Sequence, residues 1–425
     1  MENMKDYQLN RTIFCIDLKS FYASVECVLK GLDPFNTPLV VADKGRGGGS
    51  IVLAVSPYLR KLGIPSRCRI FEIPENLDII FAKPRMETYM EYSAKVIEVY
   101  LEFVSFDDLY VYSIDESLLD VTHYLKRYNL TARELAEKIL NRIKEKLGLT
   151  ATCGIGPNML MSKLALDIES KKSPDFIGEW TYDDIPKKLW PVTPLSEMWG
   201  IGSRMEANLN DLGIYSIYDL AHFDVNYLKK LFGVMGEELY YHAHGIDMSL
   251  IQDKDRLRSK AKSFSANQVL FRDYTGEEIL TIILEMVDEI TRRLRMHRKK
   301  TRTIHLAIGY SKDFPGGFSR QITLDQPTHN ETTIYQACLD LFERFYIGYP
   351  IRVVGISAGG LTDYDSYYQF SIFEDTQALE KEFILQQTVD SIKSKFGKNA
   401  VLRGSALKAE STIIARNGMI GGHNK

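Results

Sequence analysis

Val111–Asp120 reads VYSIDESLLD, and the carboxylate pair Asp115–Glu116 stands at its centre. Before the pair, residues 109–114 alternate between two faces with a period of two, which is typical of a half-buried β-strand. After the pair, residues 118–121 predict a second strand. Two adjacent carboxylates therefore lie where one strand turns into the next. Charge in such a place costs free energy unless a cation binds there, although most Asp-Glu pairs are simply solvated turns.

A third carboxylate, Asp17, ends the short apolar run 13–16, which predicts a buried strand followed by a helix. If this strand lies beside the predicted hairpin, Asp17, Asp115 and Glu116 converge as hard oxygen ligands. Such a set suits Mg²⁺ bound together with substrate phosphates. Two ions, about 3.5–4 Å apart, would clamp the attacking and leaving oxygens of an in-line phosphoryl transfer. This geometry alone leaves polymerase, cyclase and nuclease chemistry open.

Four motifs together resemble the Y-family (translesion) DNA polymerases, in particular their UmuC-like bacterial branch. The motifs are DLKSFYASVE at 17–26, SIDES at 113–117, GIGPNMLMSKLALD at 154–167 and WGIG at 199–202. They follow the family's order and spacing, and the resemblance covers roughly residues 12–360. It implies low-fidelity, template-directed DNA synthesis across lesions in an SOS-type repair response, by two-Mg²⁺ nucleotidyl transfer. No stretch remains for a proofreading exonuclease domain.

The resemblance implies an α+β multidomain polymerase right hand with an additional little-finger domain. The expected parts are a βαββαβ palm (1–22 and 80–177), small fingers (23–79), a helical thumb with a helix-hairpin-helix (178–248), a linker (249–262), a βαββαβ little finger (263–360) and a C-terminal tail (361–425). A length of 425 residues agrees with two to four domains. The local patterns further predict a strand at 51–54, a helix at 131–147 begun by a Thr131–Glu134 capping box, and a helix at 376–395.

The resemblance also implies that the nucleotide is bound by Phe21, Tyr22, Tyr58, Arg60 and Lys163. It further implies that Leu18 adds its backbone carbonyl to the metal site. Tyr22 matches the aromatic steric gate that excludes a ribose 2′-OH. Arg60 and Lys163 match residues that bind the triphosphate, and a planar guanidinium suits phosphate oxygens. The tyrosine that many members carry three residues before this arginine is Pro57 here. Tyr58 is the residue expected to replace it.

DNA contacts are expected from the thumb and from the basic part of the little finger. The net charge of −3 gives no global sign of nucleic-acid binding, but residues 251–320 hold 15 Lys/Arg against 9 Asp/Glu. Helix N-termini and basic side chains both bind phosphates. The predicted DNA-binding residues are Gly200, Gly202, Arg292, Arg295, Lys299, Lys300 and Arg302. For the two glycines, a plain helical turn is the alternative.

The tail holds QFSIF at 369–373. This segment resembles the peptides by which bacterial polymerases dock on the ring-shaped sliding clamp (β). Gln369 would hydrogen-bond at the rim of the clamp pocket, and Ile372 and Phe373 would fill it as apolar anchors. A surface loop with incidental aromatic residues is the alternative.

Bulk composition predicts a globular protein of the cytoplasm. The chain is 45% hydrophobic and 26% charged, and its five cysteines show no C-x-x-C spacing, as expected for reduced core residues. The polar N-terminus and the lack of an 18-residue apolar run predict neither a signal peptide nor a membrane span. The expected partners are therefore primer-template DNA, deoxynucleoside triphosphates and the sliding clamp, with no membrane.

Two other function classes make different demands on the sequence. A non-catalytic, DNA- and clamp-binding relative would be expected to lack at least one metal carboxylate, and here Asp17, Asp115 and Glu116 are all present. A palm-type nucleotide cyclase would need neither the helix-hairpin-helix turn nor the basic second sheet. DNA polymerase is therefore the interpretation that the sequence favours.

Overall fold

A computed structural model describes residues 4–253, 262–364 and 376–425 of the chain. The chain divides into two compact units, residues 1–258 with 423–425 and residues 259–422, which we call the first and second unit. Across the described ranges, no helix combines the length and the apolar character needed to cross a bilayer.

In the first unit, the strands are β1 (Ile13–Leu18), β2 (Leu39–Val41), β3 (Ala54–Val55), β4 (Ile80–Ala82), β5 (Leu109–Val111), β6 (Glu116–Asp120), β7 (Ala151–Gly156) and β8 (Ile177–Glu179). Its helices are α1 (Phe21–Leu29), α2 (Pro57–Lys61), α3 (Met86–Tyr100), α4 (Thr122–Tyr128), α5 (Ala132–Leu147), α6 (Met159–Leu164), α7 (Ser203–Asn210), α8 (Ile217–Ala221), α9 (Val225–Phe232) and α10 (Val234–Ala243).

In the second unit, the strands are β9 (Ser263–Tyr274), β10 (Lys299–Tyr310), β11 (Gly317–Thr328), β12 (Ile351–Gly359) and β13 (Thr362–Asp363). Its helices are α11 (Gly276–Met296), α12 (Glu331–Phe345), α13 (Thr376–Phe396) and α14 (Ile413–Asn417). The chain ends with two short strands, β14 (Met419–Ile420) and β15 (His423–Asn424).

The main sheet of the first unit has the strand order β5-β6-β1-β7-β8. Its central strand β1 is antiparallel to both β6 and β7, and the apolar run at 13–16 is fully buried, as predicted. The predicted hairpin β5–β6 is confirmed. The predicted helix α5 is also confirmed: Thr131 and Glu134 form its capping box, and Gly148, at φ +67°, ends it.

A glycine in β7 allows α6 to lie directly against the main sheet. A Cβ atom at Gly154 would stand 2.0 Å from the carbonyl oxygen of Ser162, so no larger residue fits. The helix continues past Leu164 as a π-helical turn, Ala165–Ser170. This close approach places Lys163 and Asp167 over the edge of the sheet where the carboxylates lie.

A second, small sheet has the order β3-β2-β4. The strand predicted at 51–54 is wrong in its bounds, because only Ala54–Val55 pairs with β2. The backbone of Val52 bonds instead to Arg67 and Cys68, and Ile51 forms an isolated bridge to Arg69. Residues 51 and 52 therefore exchange their hydrogen bonds with a neighbouring loop, and contact with the sheet begins at Leu53, whose N–H donates to the Val41 carbonyl at 2.8 Å.

Residues 178–248 form a helical region whose apolar core, which includes Trp180, Leu189 and Leu195, is shared with α6. Gly200 takes φ +95° in the turn before α7, and Gly202 is the N-cap residue of that helix. The linker predicted at 249–262 is wrong at its start. Ile251 is only 1% exposed, and the Gln252 amide donates to Asp108 and Asp120, so these residues pack on the main sheet.

The second unit repeats the βαββαβ pattern predicted from residue 263, with longer strands than expected. Its sheet has the order β11-β10-β12-β9, all neighbours are antiparallel, and α11 and α12 pack over one face. The predicted helix α13 is confirmed and lies against α11. There the Lys393 ammonium bonds to Asp288 at 2.8 Å, and Glu285 accepts hydrogen bonds from Ser411 and Thr412.

Candidate active site

The three predicted carboxylates come together at one end of the main sheet. Asp17 is the register partner of Glu116 in the β1–β6 pair. Asp115 lies just before β6, where its carbonyl accepts the Leu18 N–H at 2.9 Å and its carboxylate accepts the Ser113 hydroxyl at 2.7 Å. The predicted convergence of Asp17, Asp115 and Glu116 is confirmed.

Two lysines compensate this cluster of negative charge. The Lys163 ammonium lies 2.8 Å from Glu116 Oε2 and 3.2 Å from Asp167 Oδ2. The Lys171 ammonium lies 2.7 Å from Asp167 Oδ1 and 3.9 Å from Asp17 Oδ2. Burial is the largest single influence and disfavours the Lys163 charge, but the hydrogen bond to Glu116 and the nearby negative charges together outweigh it and raise the pKa of Lys163.

The carboxylate of Glu116 accepts a hydrogen bond from a buried thiol. The Cys15 Sγ–H donates to Glu116 Oε1 at 3.2 Å, and both side chains are buried. Burial, followed by the Glu116 charge, raises the pKa of Cys15 well above its usual value, so the thiol keeps its proton. The two oxygens of Glu116 are thus fixed by a thiol on one side and an ammonium on the other.

Asp17 is less well compensated than Glu116, since its cation Lys171 lies 3.9 Å away. Burial raises the pKa of Asp17 to about 6, and the charges of Asp115 and Glu116 add to this shift while Lys171 opposes it. Such a group gains most from a bound cation. Asp17, Asp115 and Glu116, with the Leu18 carbonyl, are therefore a donor set that fits a divalent metal ion. As placed in the described ranges, no three His, Cys, Asp or Glu side chains are arranged to hold a metal ion by themselves.

Replacing Asp17 with asparagine is expected to stabilise the metal-free protein near neutral pH. The folded-state pKa of about 6 lies above the ordinary value of 3.8, so the ionised carboxylate costs about 3 kcal/mol above pH 6. This cost fades as the pH falls from 6 to 4 and is absent below the unfolded-state value. Denaturant unfolding in a metal chelator should therefore give Asp17→Asn its full advantage at pH 7.5 and about half of it at pH 5.

Added divalent metal provides the control for this measurement. It should stabilise the unsubstituted protein, because ion binding relieves the carboxylate repulsion, and it should stabilise Asp17→Asn much less. An advantage of equal size at both pH values would contradict the assigned cause.

Two basic residues, Lys19 and Arg60, lie on one side of the carboxylates. Burial lowers the pKa of Lys19, and the Arg60 charge lowers it further, so these two cations lie near each other. The Lys19 ammonium sits 4.3 Å from the centre of the Phe176 ring, and the Arg60 guanidinium donates to Ser66 Oγ at 2.8 Å. Arg60 thus lies near Lys19, and its contact with a triphosphate stays a prediction.

The sequence interpretation missed two of the basic residues near the carboxylates, Lys19 and Lys171. Lys19 lies inside the first motif, between Asp17 and the predicted gate, and Lys171 lies one helical turn after Asp167. The sequence position of each lysine could therefore have indicated that it lies near the site. However, an isolated lysine is usually solvated, so spacing alone did not single them out.

The predicted gate residue Tyr22 lies in the first turn of α1. Ser20, at φ +49°, reverses the chain between β1 and α1, and the Tyr22 side chain is half-buried. Burial and the Asp115 charge raise the pKa of Tyr22, which places its hydroxyl near the carboxylates.

The other two aromatic residues of the predicted nucleotide set point into cores. The Phe21 side chain is 2% exposed and packs in the core, and its contact with a nucleotide stays a prediction. Tyr58 follows Pro57 at the start of α2 and packs against the core of the small sheet. Among the residues that the structure describes, no contact places Tyr58 at the carboxylates, and its role as the replacement stays a prediction.

Two of the predicted DNA-binding arginines in the second unit are engaged by α13 instead. Arg295 is 6% exposed and forms a two-pronged ion pair with Asp390 at 2.7 and 3.1 Å. Arg292 lies 3.5 Å from Ser394 Oγ. The prediction for Arg295 is therefore wrong, because a buried, fully paired guanidinium is not available to a phosphate. The contact of Arg292 with Ser394 directs that side chain toward α13 as well.

The remaining predicted basic residues border the sheet of the second unit. Lys299 pairs with Asp363, the Lys300 ammonium lies 5.2 Å from the centre of the Tyr364 ring, and Arg302 donates to the Leu324 carbonyl. The sequence interpretation missed a polar groove of about 400 Å³ on the sheet face opposite α11 and α12. Its polar lining includes Ser265, Asn267, Thr303, His305, Gln321 and Ser357. The polar positions alternating with apolar ones in these strands were the available signal.

Comparison with known proteins identifies the family. Residues 16–167 match the impB/mucB/samB family, residues 261–372 match that family's C-terminal domain, and residues 182–214 match its HHH motif. A putative UV-damage repair protein, UvrX of Bacillus subtilis, is 45% identical over 97% of both chains. The chain belongs to the impB/mucB/samB family of Y-family DNA polymerases.

Other relatives agree with this assignment. DNA polymerase IV 2 of Bacillus subtilis is 34% identical over 98% of this chain and 99% of its own length. A solved structure of a Y-family DNA polymerase chimera matches with a TM-score of 0.64 and 22% identity, over 83% of this chain and 99% of that chain. At this identity the match shows the fold alone. The predicted family, the α+β polymerase fold and the HHH motif are confirmed, and the family implies use of a divalent metal.

Proposed function

We propose that this protein is a DNA-directed DNA polymerase that synthesises across damaged template positions with two Mg²⁺ ions and without proofreading. The observation that carries the proposal is the register pairing of Asp17 with Glu116, beside Asp115 and between Lys163 and Lys171. This arrangement joins hard oxygen donors for metal ions to cations for phosphates. The relatives named DNA polymerase IV and UV-damage repair protein support the same activity in a bacterial damage response.

The residues of the site would divide the work of nucleotidyl transfer. Asp17, Asp115, Glu116 and the Leu18 carbonyl would hold the metal ions, which lower the pKa of the primer 3′-OH and stabilise the leaving pyrophosphate. Arg60 and Lys163 would bind the triphosphate, and we add Lys19 and Lys171 to them. Lys163 would then exchange its contact with Glu116 for a phosphate oxygen.

The proposed DNA contacts fall into two groups. In the helical region, the backbone N–H groups near Gly200 and Gly202 lie in the turn and at the N-terminus of α7, where a DNA phosphate could be bound. In the second unit, Lys299, Lys300 and Arg302 lie in β10, the strand that also contributes Thr303 and His305 to the polar groove. We therefore propose this sheet face for the duplex and leave out Arg292 and Arg295.

A primer-extension assay on damaged and undamaged templates tests the proposal against its alternatives. A polymerase extends the primer on both templates. A non-catalytic DNA-binding relative binds the same DNA without extending it, and a nucleotide cyclase converts a free nucleoside triphosphate without DNA.

We further propose that the protein acts in the cytoplasm and is recruited by the sliding clamp. Gln369, Ile372 and Phe373 lie outside the described residues, so this proposal stands on the sequence motif alone. Replacing all three with alanine should abolish clamp binding and processive synthesis, because a tether supplies a high effective concentration on DNA without a new DNA contact. Binding to purified clamp and product length with and without clamp are the measurements.

Single-nucleotide insertion by the free enzyme should survive the triple substitution, since the carboxylate site is untouched. Alanine at Asp365, Ser371 and Glu374 provides a matched control in the same segment and should leave clamp binding in place. Clamp binding by the Gln369, Ile372 and Phe373 variant as tight as that of the unsubstituted protein would reduce the segment to a connector.

A further inference from the structure

A buried ionic group lies directly behind the proposed sugar gate. Glu26 is 2% exposed, although it carries a carboxylate, and nothing in the proposed metal or phosphate chemistry uses it. Such burial is costly unless the charge is paired and hydrogen-bonded. We infer that Glu26, Arg85 and Tyr89 are positioning residues that set the sugar selectivity of the enzyme by fixing the ring of Tyr22. This inference rests on the proposed role of Tyr22 as the gate.

The group is built from two pairs that face each other across two helices. On α1, Tyr22 and Glu26 are four residues apart and therefore share a face. On the other side, Arg85 immediately precedes α3 and Tyr89 lies in its first turn, again four residues apart, with the Tyr89 N–H bonded to the Arg85 carbonyl. Each element thus supplies one aromatic ring and one charged group.

The charged groups hold the second ring in place. The Arg85 guanidinium binds Glu26 in two places, with Nε 3.0 Å from Oε1 and Nη2 2.7 Å from Oε2. The Tyr89 hydroxyl donates to Oε1 at 2.9 Å. Tyr89 is fully buried, so its hydroxyl has no access to bulk water as an alternative partner. The orientation of the Tyr89 ring is therefore tied to the ion pair.

The Tyr89 ring in turn prevents the Tyr22 ring from moving away from the sugar. The ring centres of Tyr22 and Tyr89 are 4.8 Å apart. Phe21 closes another side, with its ring centre 5.5 Å from that of Tyr22 and 6.5 Å from that of Tyr89. Tyr22 is only half-buried, so without this backing its ring could rotate away from the sugar.

This backing matters because a clash excludes a ligand only if the clashing group cannot move. A ring that yields by a fraction of an ångström would admit the 2′-OH at little cost. Rigid support of the gate is thus a condition for selectivity, as it is for any site that must hold its geometry.

The test is single-nucleotide insertion with matched deoxy- and ribonucleoside triphosphates. The readout is the ratio of kcat/KM for the deoxy substrate to kcat/KM for the ribo substrate. Tyr89→Ala should lower this ratio at least about tenfold by opening space behind Tyr22, while kcat/KM for the deoxy substrate changes much less. Tyr89→Phe keeps the ring and should retain most of the selectivity. The double variant Tyr22→Ala/Tyr89→Ala should be no less selective than Tyr22→Ala alone, because both act through one ring.

A merely structural role would give a different result. Both substrates would then lose kcat/KM together and the ratio would stay constant, as we expect for Phe103→Ala, which truncates a buried aromatic residue just beyond the other end of α3. If Tyr89→Ala does not fold, the double variant Glu26→Gln/Arg85→Met replaces it, since it removes the ion pair without leaving a buried charge unpaired.

The two proposals fail in distinguishable ways. An unchanged ratio in Tyr22→Ala would remove Tyr22 as the gate, and the inference with it. A lowered ratio in Tyr22→Ala together with an unchanged ratio in Tyr89→Ala, or in Glu26→Gln/Arg85→Met where that variant is needed, would overturn the inference and leave the gate intact.

Discussion

Replacing Asp115 or Glu116 with alanine is expected to abolish nucleotide incorporation while primer-template DNA remains bound. Each substitution removes one of the oxygen donors assigned to the metal ions, and Glu116→Ala also leaves Lys163 without its 2.8 Å partner. Loss of metal-assisted stabilisation of the transition state should cost at least about a thousandfold in the rate of incorporation. Single-turnover insertion measures the rate, and a filter or fluorescence assay measures DNA binding.

Asp120→Asn is the matched control for these two substitutions. Asp120 lies at the opposite end of β6, is 2% exposed and pairs with Arg11. Its replacement should lower stability and leave incorporation largely intact, which separates loss of a metal donor from loss of a buried carboxylate. Normal primer extension by both Asp115→Ala and Glu116→Ala would contradict the assignment of the site.

Tyr22→Ala is expected to raise ribonucleotide incorporation strongly while deoxynucleotides remain substrates. The gate proposal holds that the Tyr22 ring occupies the space a 2′-OH would need, and removing the ring removes the clash. A loss of discrimination of about a hundredfold would match a clash worth about 3 kcal/mol. Competing insertion of a deoxy- and a ribonucleotide opposite the same template base measures it.

Tyr22→Phe is the control for the ring itself. It removes only a hydroxyl that lies near Asp115, so discrimination should stay close to that of the unsubstituted enzyme. If sugar selectivity is unchanged in Tyr22→Ala, Tyr22 is not the gate and serves only in packing.

The sequence predicted the parts of the fold that local patterns determine. The apolar run 13–16 marked β1, the period of two marked β5, and the Thr131–Glu134 capping box marked the start of α5. The convergence of Asp17 with Asp115–Glu116 was predictable because each carboxylate stands at the end of an apolar strand, and strands of one sheet share their ends.

The sequence did not predict which charged groups pair across long separations. Arg295 resembled a phosphate-binding residue because its basic neighbours are close in sequence, whereas its partner Asp390 is 95 residues away. Glu26 and Arg85 are 59 residues apart, and neither local pattern indicated a buried ion pair. Periodicity gives the face of a helix or strand and not the element that covers it.

Helix and strand bounds failed where backbone hydrogen bonds go to irregular partners. The predicted strand at 51–54 has the required apolar residues, yet the bonds of Val52 go to residues 67 and 68. The predicted linker looked polar from its charges, but its early residue Ile251 is buried against the main sheet.

The central claim is that the carboxylate cluster catalyses DNA synthesis across template lesions. The most direct measurement is extension of a labelled primer past a defined lesion in Mg²⁺, comparing the purified protein with its Asp115→Ala variant. We expect bypass products from the unsubstituted protein, none from the variant, and equal DNA binding by both. DNA that is bound by the unsubstituted protein but extended on neither a damaged nor an undamaged template would contradict it.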